Sequence, residues 1–232
     1  MKRLALFALG ALAACASSGS DYPVTTQGGG AAGGGGSAPT IAGRVCLVTD
    51  ARNLTSCATT GAGGLTVTIG SGTATTLADG SFVMNTPTSG DTSMIGVSGN
   101  GIVASSQALT ANAQIPVIEQ AVFDQMMAQN GITTTAGSGS IIATVVRGGK
   151  PVGGVTATAT PSPAFGPFYD GTSPTAWTLN PTGTMGVVWF PGAAVNMPVN
   201  VTFTDPATQT ETTVGGVQVI DGGVTFVEGV LP

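Results

Sequence analysis

The chain has 232 residues, of which 42% are hydrophobic and 7% charged, with six basic, eleven acidic and no histidine side chains and a net charge of −5. Without histidine there is no Ser-His or Cys-His nucleophilic site and no zinc site that uses an imidazole. The acidic balance argues against nucleic acid as a partner, because that function depends on basic patches.

At the start, Lys2 and Arg3 precede an apolar run of nine residues, Leu4 to Leu12 (LALFALGAL). A membrane-spanning helix needs about 20 such residues, so this run has the length of a signal-peptide core instead. Small residues follow, and Leu12-Ala13-Ala14-Cys15 resembles the lipobox of a bacterial lipoprotein precursor. That resemblance implies a signal peptide over 1–14, cleavage before Cys15, and acylation of the thiol and of the new amino group. Each buried CH₂ contributes about 0.8 kcal/mol, so three chains would hold the protein at a bilayer. Ala16, where an Asp would mark inner-membrane retention, implies the outer membrane, at its periplasmic or cell-surface face. The other reading is an ordinary secretory signal with an incidental cysteine.

Residues 15–39 form the next unit and include Gly28–Ser37 (GGGAAGGGGS). This composition has almost nothing to bury and predicts a disordered tether. A Gly-rich coil of that length spans roughly 27 Å. Removing 1–14 leaves four basic and eleven acidic side chains, a net −7. With Cys15 lipidated, Cys46 and Cys57 remain, and an exported protein keeps disulfides. Their pairing is expected, closing a loop worth about 3 kcal/mol in the chain-entropy model; two separate buried thiols are the alternative.

From Thr40 the pattern becomes short strands with turn signals. Strands are predicted at Ile41–Val48, Leu65–Ile69, Thr73–Leu77, Ser81–Met84, Met94–Val97 and Ile102–Ser106, with turns at Asp79-Gly80 and Gly99-Asn100-Gly101. Ile41-Ala42-Gly43-Arg44-Val45, Gly64-Leu65-Thr66-Val67-Thr68-Ile69 and Ala74-Thr75-Thr76-Leu77-Ala78-Asp79-Gly80-Ser81-Phe82 resemble a carboxypeptidase regulatory-like domain. That resemblance implies a small transthyretin-like β-sandwich over 40–112 with no catalytic residues of its own. The segment Thr49–Gly63, carrying Cys57, is longer than the family pattern.

Residues 113–138 read as a linker helix and turn. Within Ile115–Gly131, Pro116 suits a first helical turn, Ile118, Val122 and Met126 make an apolar stripe, and Asn130-Gly131 signals the C-terminal cap. A second module is predicted over 139–232, with strands at Ser140–Arg147, Val155–Thr160, Thr184–Phe190, Val199–Thr204, Thr210–Val214 and Val224–Val230. Its Gly149-Lys150-Pro151-Val152-Gly153-Gly154-Val155 turn again resembles the regulatory-like or Ig-like repeats. The fold class expected is therefore all-β, two small sandwiches joined by one helix.

Chemistry is sparse. Asp50, Asp79, Asp170, Asp205 and Asp221 each stand alone in a turn and read as turn residues rather than metal ligands. No cofactor or metal is expected. Six of the twelve aromatic residues fall between 165 and 190. Phe165, Phe168 and Tyr169 lie in a Pro/Gly-rich loop, with Trp177 beyond it. Such a group suits a platform for a glycan or an envelope protein, or else a cap on the open end of the sandwich. The expected role is a non-catalytic, lipid-anchored binding or adhesion module; a structural or scaffolding subunit without a small-molecule ligand is the alternative.

Overall fold

A computed structural model of the chain describes residues 39–90, 93–110, 114–133, 135–171 and 177–232. The expected signal peptide, Cys15 and all of the tether but Pro39 lie outside these residues. The first half contains β1 (Thr40–Val48), β2 (Thr66–Ile69), β3 (Gly72–Thr75), β4 (Ser81–Asn85), β5 (Met94–Ser98), β6 (Ser105–Ala108) and β7 (Gln114–Ile118). The helix α1 (Gln120–Gln129) follows. The second half contains β8 (Ser138–Arg147), β9 (Lys150–Pro151), β10 (Thr156–Thr160), β11 (Phe168–Tyr169), β12 (Val187–Ala194), β13 (Val199–Asp205), β14 (Thr210–Val217) and β15 (Val224–Val230). The fold class is all-β.

The halves repeat one plan. In the first, β1 lies between antiparallel β4 and parallel β7; in the second, β8 lies between antiparallel β12 and parallel β15. The opposing layer is β2-β5-β6, extended by β3, in one half and β10-β13-β14 in the other. Alternating inward residues of the two layers build each core, around Val45, Val67, Ile95 and Ile115 in the first half and Ile141, Val145, Val201 and Phe203 in the second.

Hydrogen bonds match atom for atom. Val45 donates its N–H to Gly80 O and Val145 donates to Gly186 O, each at 2.8 Å. Thr76 Oγ1 accepts from Leu65 N at 2.8 Å and donates to Ala62 O at 2.6 Å. Thr182 Oγ1 accepts from Val155 N at 2.9 Å and donates to Val152 O at 3.0 Å. Both threonines are buried, so their hydroxyls satisfy main-chain groups that water cannot reach. The loop before each strand turns through a left-handed glycine, Gly64 at φ +76° and Gly154 at φ +81°, a conformation that disfavours other residues.

One sheet ties the halves together. β15 pairs in parallel with β8 on one side and with β6 of the first half on the other, making a nine-stranded sheet that includes β2, β3, β5, β6, β8, β9, β11, β12 and β15. A third core fills the junction. Cys46, Val48 and Ile118 meet Ile142, Trp189, Val224 and Phe226, with α1 packed over them.

The helix is shorter than its sequence pattern predicts. Gln114–Ile118 is strand β7, in register with β1 from Arg44↔Gln114 to Val48↔Ile118. Its β-branched residues fill both faces: Ile115 and Val117 enter the first core, and Ile118 the third. Pro116 fits because it has the same parity as Ile118, whose C=O accepts from Val103 N and so faces away from β1. The N–H that proline lacks would face that way too, and no bond to β1 is lost. The stripe of α1 accordingly centres on Phe123, Met126 and Met127, not on Ile118. The predicted cap at Asn130-Gly131 is present, with Gly131 at φ +65° and Asn130 Nδ2 donating to Met126 O at 2.8 Å.

Candidate functional site

The aromatic residues gather around Trp189. It lies on β12, fully buried, and its indole N–H donates to Ser140 Oγ at 3.2 Å. Phe168 packs on it with ring centroids 5.4 Å apart, placed there by the pairing of β11 with β12 in the register Phe168↔Trp189. Trp177 packs at 5.3 Å, and Phe123 of α1 meets the ring edge-on at 6.5 Å. Phe168 and Trp177 are half-buried, so each shows part of its ring to solvent.

Tyr169 is elsewhere. Strand alternation turns it to the opposite face, into the second core, where it is buried. Its hydroxyl accepts from Ala157 N at 3.0 Å and lies 3.3 Å from Ala157 O, closing the outer edge of β10. Burial raises its pKa, against the lowering effect of the Ala157 backbone contact. Tyr169 is therefore a core residue that caps a strand edge and not part of an exposed platform. Phe165 is also separate: it is 36% exposed, and its N–H reaches back to Pro191 O at 3.3 Å. Of the four residues expected in one binding group, the structure brings together Phe168 and Trp177.

Asp170, read from the sequence as an ordinary turn residue, does more than serve its own turn. It is buried, and its carboxylate accepts three main-chain N–H bonds, from Gly183 and Val187 on Oδ1 at 2.8 and 3.2 Å and from Met185 on Oδ2 at 2.9 Å. It shapes the loop that leads into β12 and so positions Trp189. Other carboxylates serve their own turns. Asp79 Oδ1 accepts from both the N–H and the hydroxyl of Ser81, and the Ser81 hydroxyl bond chiefly holds its carboxyl below the usual range. Asp205 accepts from the Thr208 hydroxyl and Ala207 N and pairs with Arg147 at 3.0 Å. Its carboxyl is likewise lowered, most by Thr208. Among the described residues no three His, Cys, Asp or Glu side chains converge on a point where a metal ion could sit.

Cys46 and Cys57 form a disulfide. It fastens β1 to the long loop after it, reinforced by the Val48↔Cys57 bridge, and Cys57 Sγ accepts from Gln114 Nε2 at 3.2 Å. Beside it an open groove of about 760 Å³ runs between the halves, with Leu54, Pro116, Val146 and Phe226 among its walls.

No family model matches the chain, and no curated protein matches it. A solved structure that does match is the shaft pilin SpaA from Lactobacillus rhamnosus GG, crystallised as a point mutant. It is 11% identical, the match covers 83% of this chain and 97% of that chain, and the TM-score is 0.24. That likeness is too loose to bear on function.

Proposed function

We propose that this chain is a non-catalytic, lipid-anchored structural element of a bacterial cell envelope. The observation that carries the reading is the use made of its polar and aromatic groups. Thr76, Thr182, Tyr169 and Asp170 are all committed to main-chain bonds. Trp189 is committed to the junction core. What remains is a stiff body whose halves share a sheet, suited to spacing or scaffolding. This favours the structural role over a glycan platform, since Tyr169 faces inward. The repeated hydrogen bonds of the halves support regulatory-like modules as their ancestry, and Leu12–Cys15 with Ala16 supports anchorage at the outer membrane.

Mass spectrometry of the native N-terminus tests the anchor: the expected species starts at an acylated Cys15, and a free thiol there refutes it. Affinity isolation from solubilised envelopes tests the role. A stoichiometric protein partner is expected, whereas retention of a glycan that is lost in Phe168→Ala and Trp177→Ala variants would return the function to the aromatic group.

A further inference from the structure

Two of the eight asparagines stand directly before a glycine: Asn100, in the turn between β5 and β6, and Asn130, at the end of α1. Asparagine is a chemically labile residue, and a following glycine exposes it further. Glycine has no side chain to shield its backbone nitrogen, and that nitrogen can close a five-membered ring onto the asparagine Cγ. Closure needs both groups free. The nitrogen must give up its proton and turn toward Cγ, and the side-chain amide must fold over its own backbone.

The fold treats the two sites differently. At Asn130 both groups are engaged: Nδ2 donates to Met126 O at 2.8 Å, and Gly131 N donates to Ala128 O at 3.1 Å. At Asn100 both are open. Among the described residues neither the Asn100 side chain nor the Gly101 N–H has a hydrogen-bond partner, and both residues are exposed. Gly101 lies at φ +79°, with no atom within 4 Å of the place a Cβ would take, so solvent has access to its nitrogen. The chain just beyond is held. Gly101 O accepts from Gln120 N at 2.9 Å, and Ile102 bridges to Glu119. Aspartates before glycine do not compete, because an ionised carboxylate resists attack. Those of Asp79, Asp170 and Asp221 also accept main-chain N–H bonds, from Ser81, Gly183 and Gly137.

We propose that Asn100 is a site of spontaneous deamidation and backbone isomerisation, and that α1 protects Asn130 from the same reaction. The Gly101 nitrogen loses its proton to solvent and attacks Asn100 Cγ. The N–Cγ bond forms, the Cγ–Nδ2 bond breaks, and the amide nitrogen takes a proton from solvent and leaves as ammonia. Water then opens the ring. Attack at Cγ gives aspartate at position 100; attack at the main-chain carbonyl carbon gives isoaspartate. The sum is asparagine and water in, an acid and ammonia out, with no oxidant and no second protein. Either product adds a negative charge to the turn. The isoaspartyl form also lengthens the main chain by one carbon, directly before the Gly101 carbonyl that holds the start of α1.

Peptide mapping by mass spectrometry tests this on the full chain, incubated at mildly alkaline pH with and without urea. In the folded chain, conversion to the acid is expected about tenfold faster at Asn100 than at Asn130, because the cap of α1 must open before Asn130 can react. In urea the two sites should convert at the same rate. Labelling by a protein isoaspartate methyltransferase should rise with incubation and be lost in Asn100→Gln, where attack would have to close a larger ring. Equal rates in the folded chain overturn the proposal, as does an Asn100 that stays unmodified. A preference for Asn100 that persists in urea overturns the protective role of α1, and labelling retained in Asn100→Gln places the isoaspartate elsewhere and overturns the site.

Discussion

Asp170→Asn should destabilise the protein by about 3 kcal/mol. The carboxylate accepts three main-chain N–H bonds in a buried site. Asparagine keeps one acceptor oxygen, which serves Gly183 and Val187 in the position of Oδ1. Its amide nitrogen then stands where Oδ2 accepted from Met185, and two donors face each other. A hydrogen bond to a charged group contributes about 1.5–3 kcal/mol, and a buried donor left unmet costs about 1–3 kcal/mol. Loss of the Met185 bond, with weakening of the two that lose their charge, gives about 3 kcal/mol. For a body of this size the melting temperature falls by about 2–4 °C per kcal/mol, so a drop of about 6–12 °C is expected. Urea titration followed by tryptophan fluorescence reads the same loss, because the loop that Asp170 holds leads into β12 and Trp189. A change below about 1 kcal/mol would show that Asp170 does not organise this loop.

Other substitutions test separate parts of the fold. Thr76→Val and Thr182→Val each leave one buried N–H and one C=O unmet; each should cost about 1–3 kcal/mol, and the double variant should show their sum in a denaturant series. Unequal costs would argue against equivalent roles in the two halves. Reducing the Cys46–Cys57 bond, or replacing both cysteines by alanine, should lower stability by about 3 kcal/mol, because the separation of 11 residues closes a short loop. Asp205 sets an acid limit. Its folded pKa is lowered, chiefly by Thr208, so its contribution is complete above the unfolded value near 4 and is lost as pH falls through the lower folded value. Urea midpoints of Asp205→Asn should therefore vary less between about pH 4 and pH 2 than those of the parent, with the two curves parallel above about pH 5.

Turn chemistry made much of the fold legible. Asp79-Gly80 and Gly99-Asn100-Gly101 lie between strands where their residues predict, and alternation of Thr with apolar residues located β2 and β10. The helix boundary misled because Pro116 is compatible both with a first helical turn and with a strand whose proline faces away from its neighbour; only the register with β1 decides. Parallel pairing of β15 with β6 joins residues more than a hundred positions apart, and no local pattern encodes it. The aromatic group was visible as a composition cluster, yet Phe168 and Tyr169 are adjacent on a strand and must face opposite ways. Asp170 resembled an ordinary turn aspartate because its three partners lie 13 to 17 residues downstream.

The junction core makes a further demand on stability. Ile142, Val187, Trp189, Val224 and Phe226 from the second half are buried against the first half and α1. Fully burying one large apolar side chain contributes about 1.5–3 kcal/mol. These five residues therefore supply on the order of 10 kcal/mol, as much as the whole net stability of a typical domain. A chain of residues 39–137 would lose that contribution and expose the unpaired edge of β6, besides leaving Cys46, Val48 and Ile118 with α1 but without the second half to cover them. It should not fold cooperatively at 25 °C, and the full chain should unfold in one transition in which calorimetric and van't Hoff enthalpies agree. A well-dispersed NMR spectrum from residues 39–137 alone, or two separate thermal transitions in the full chain, would mean that the halves are independent bodies and that the shared sheet contributes little to holding them together.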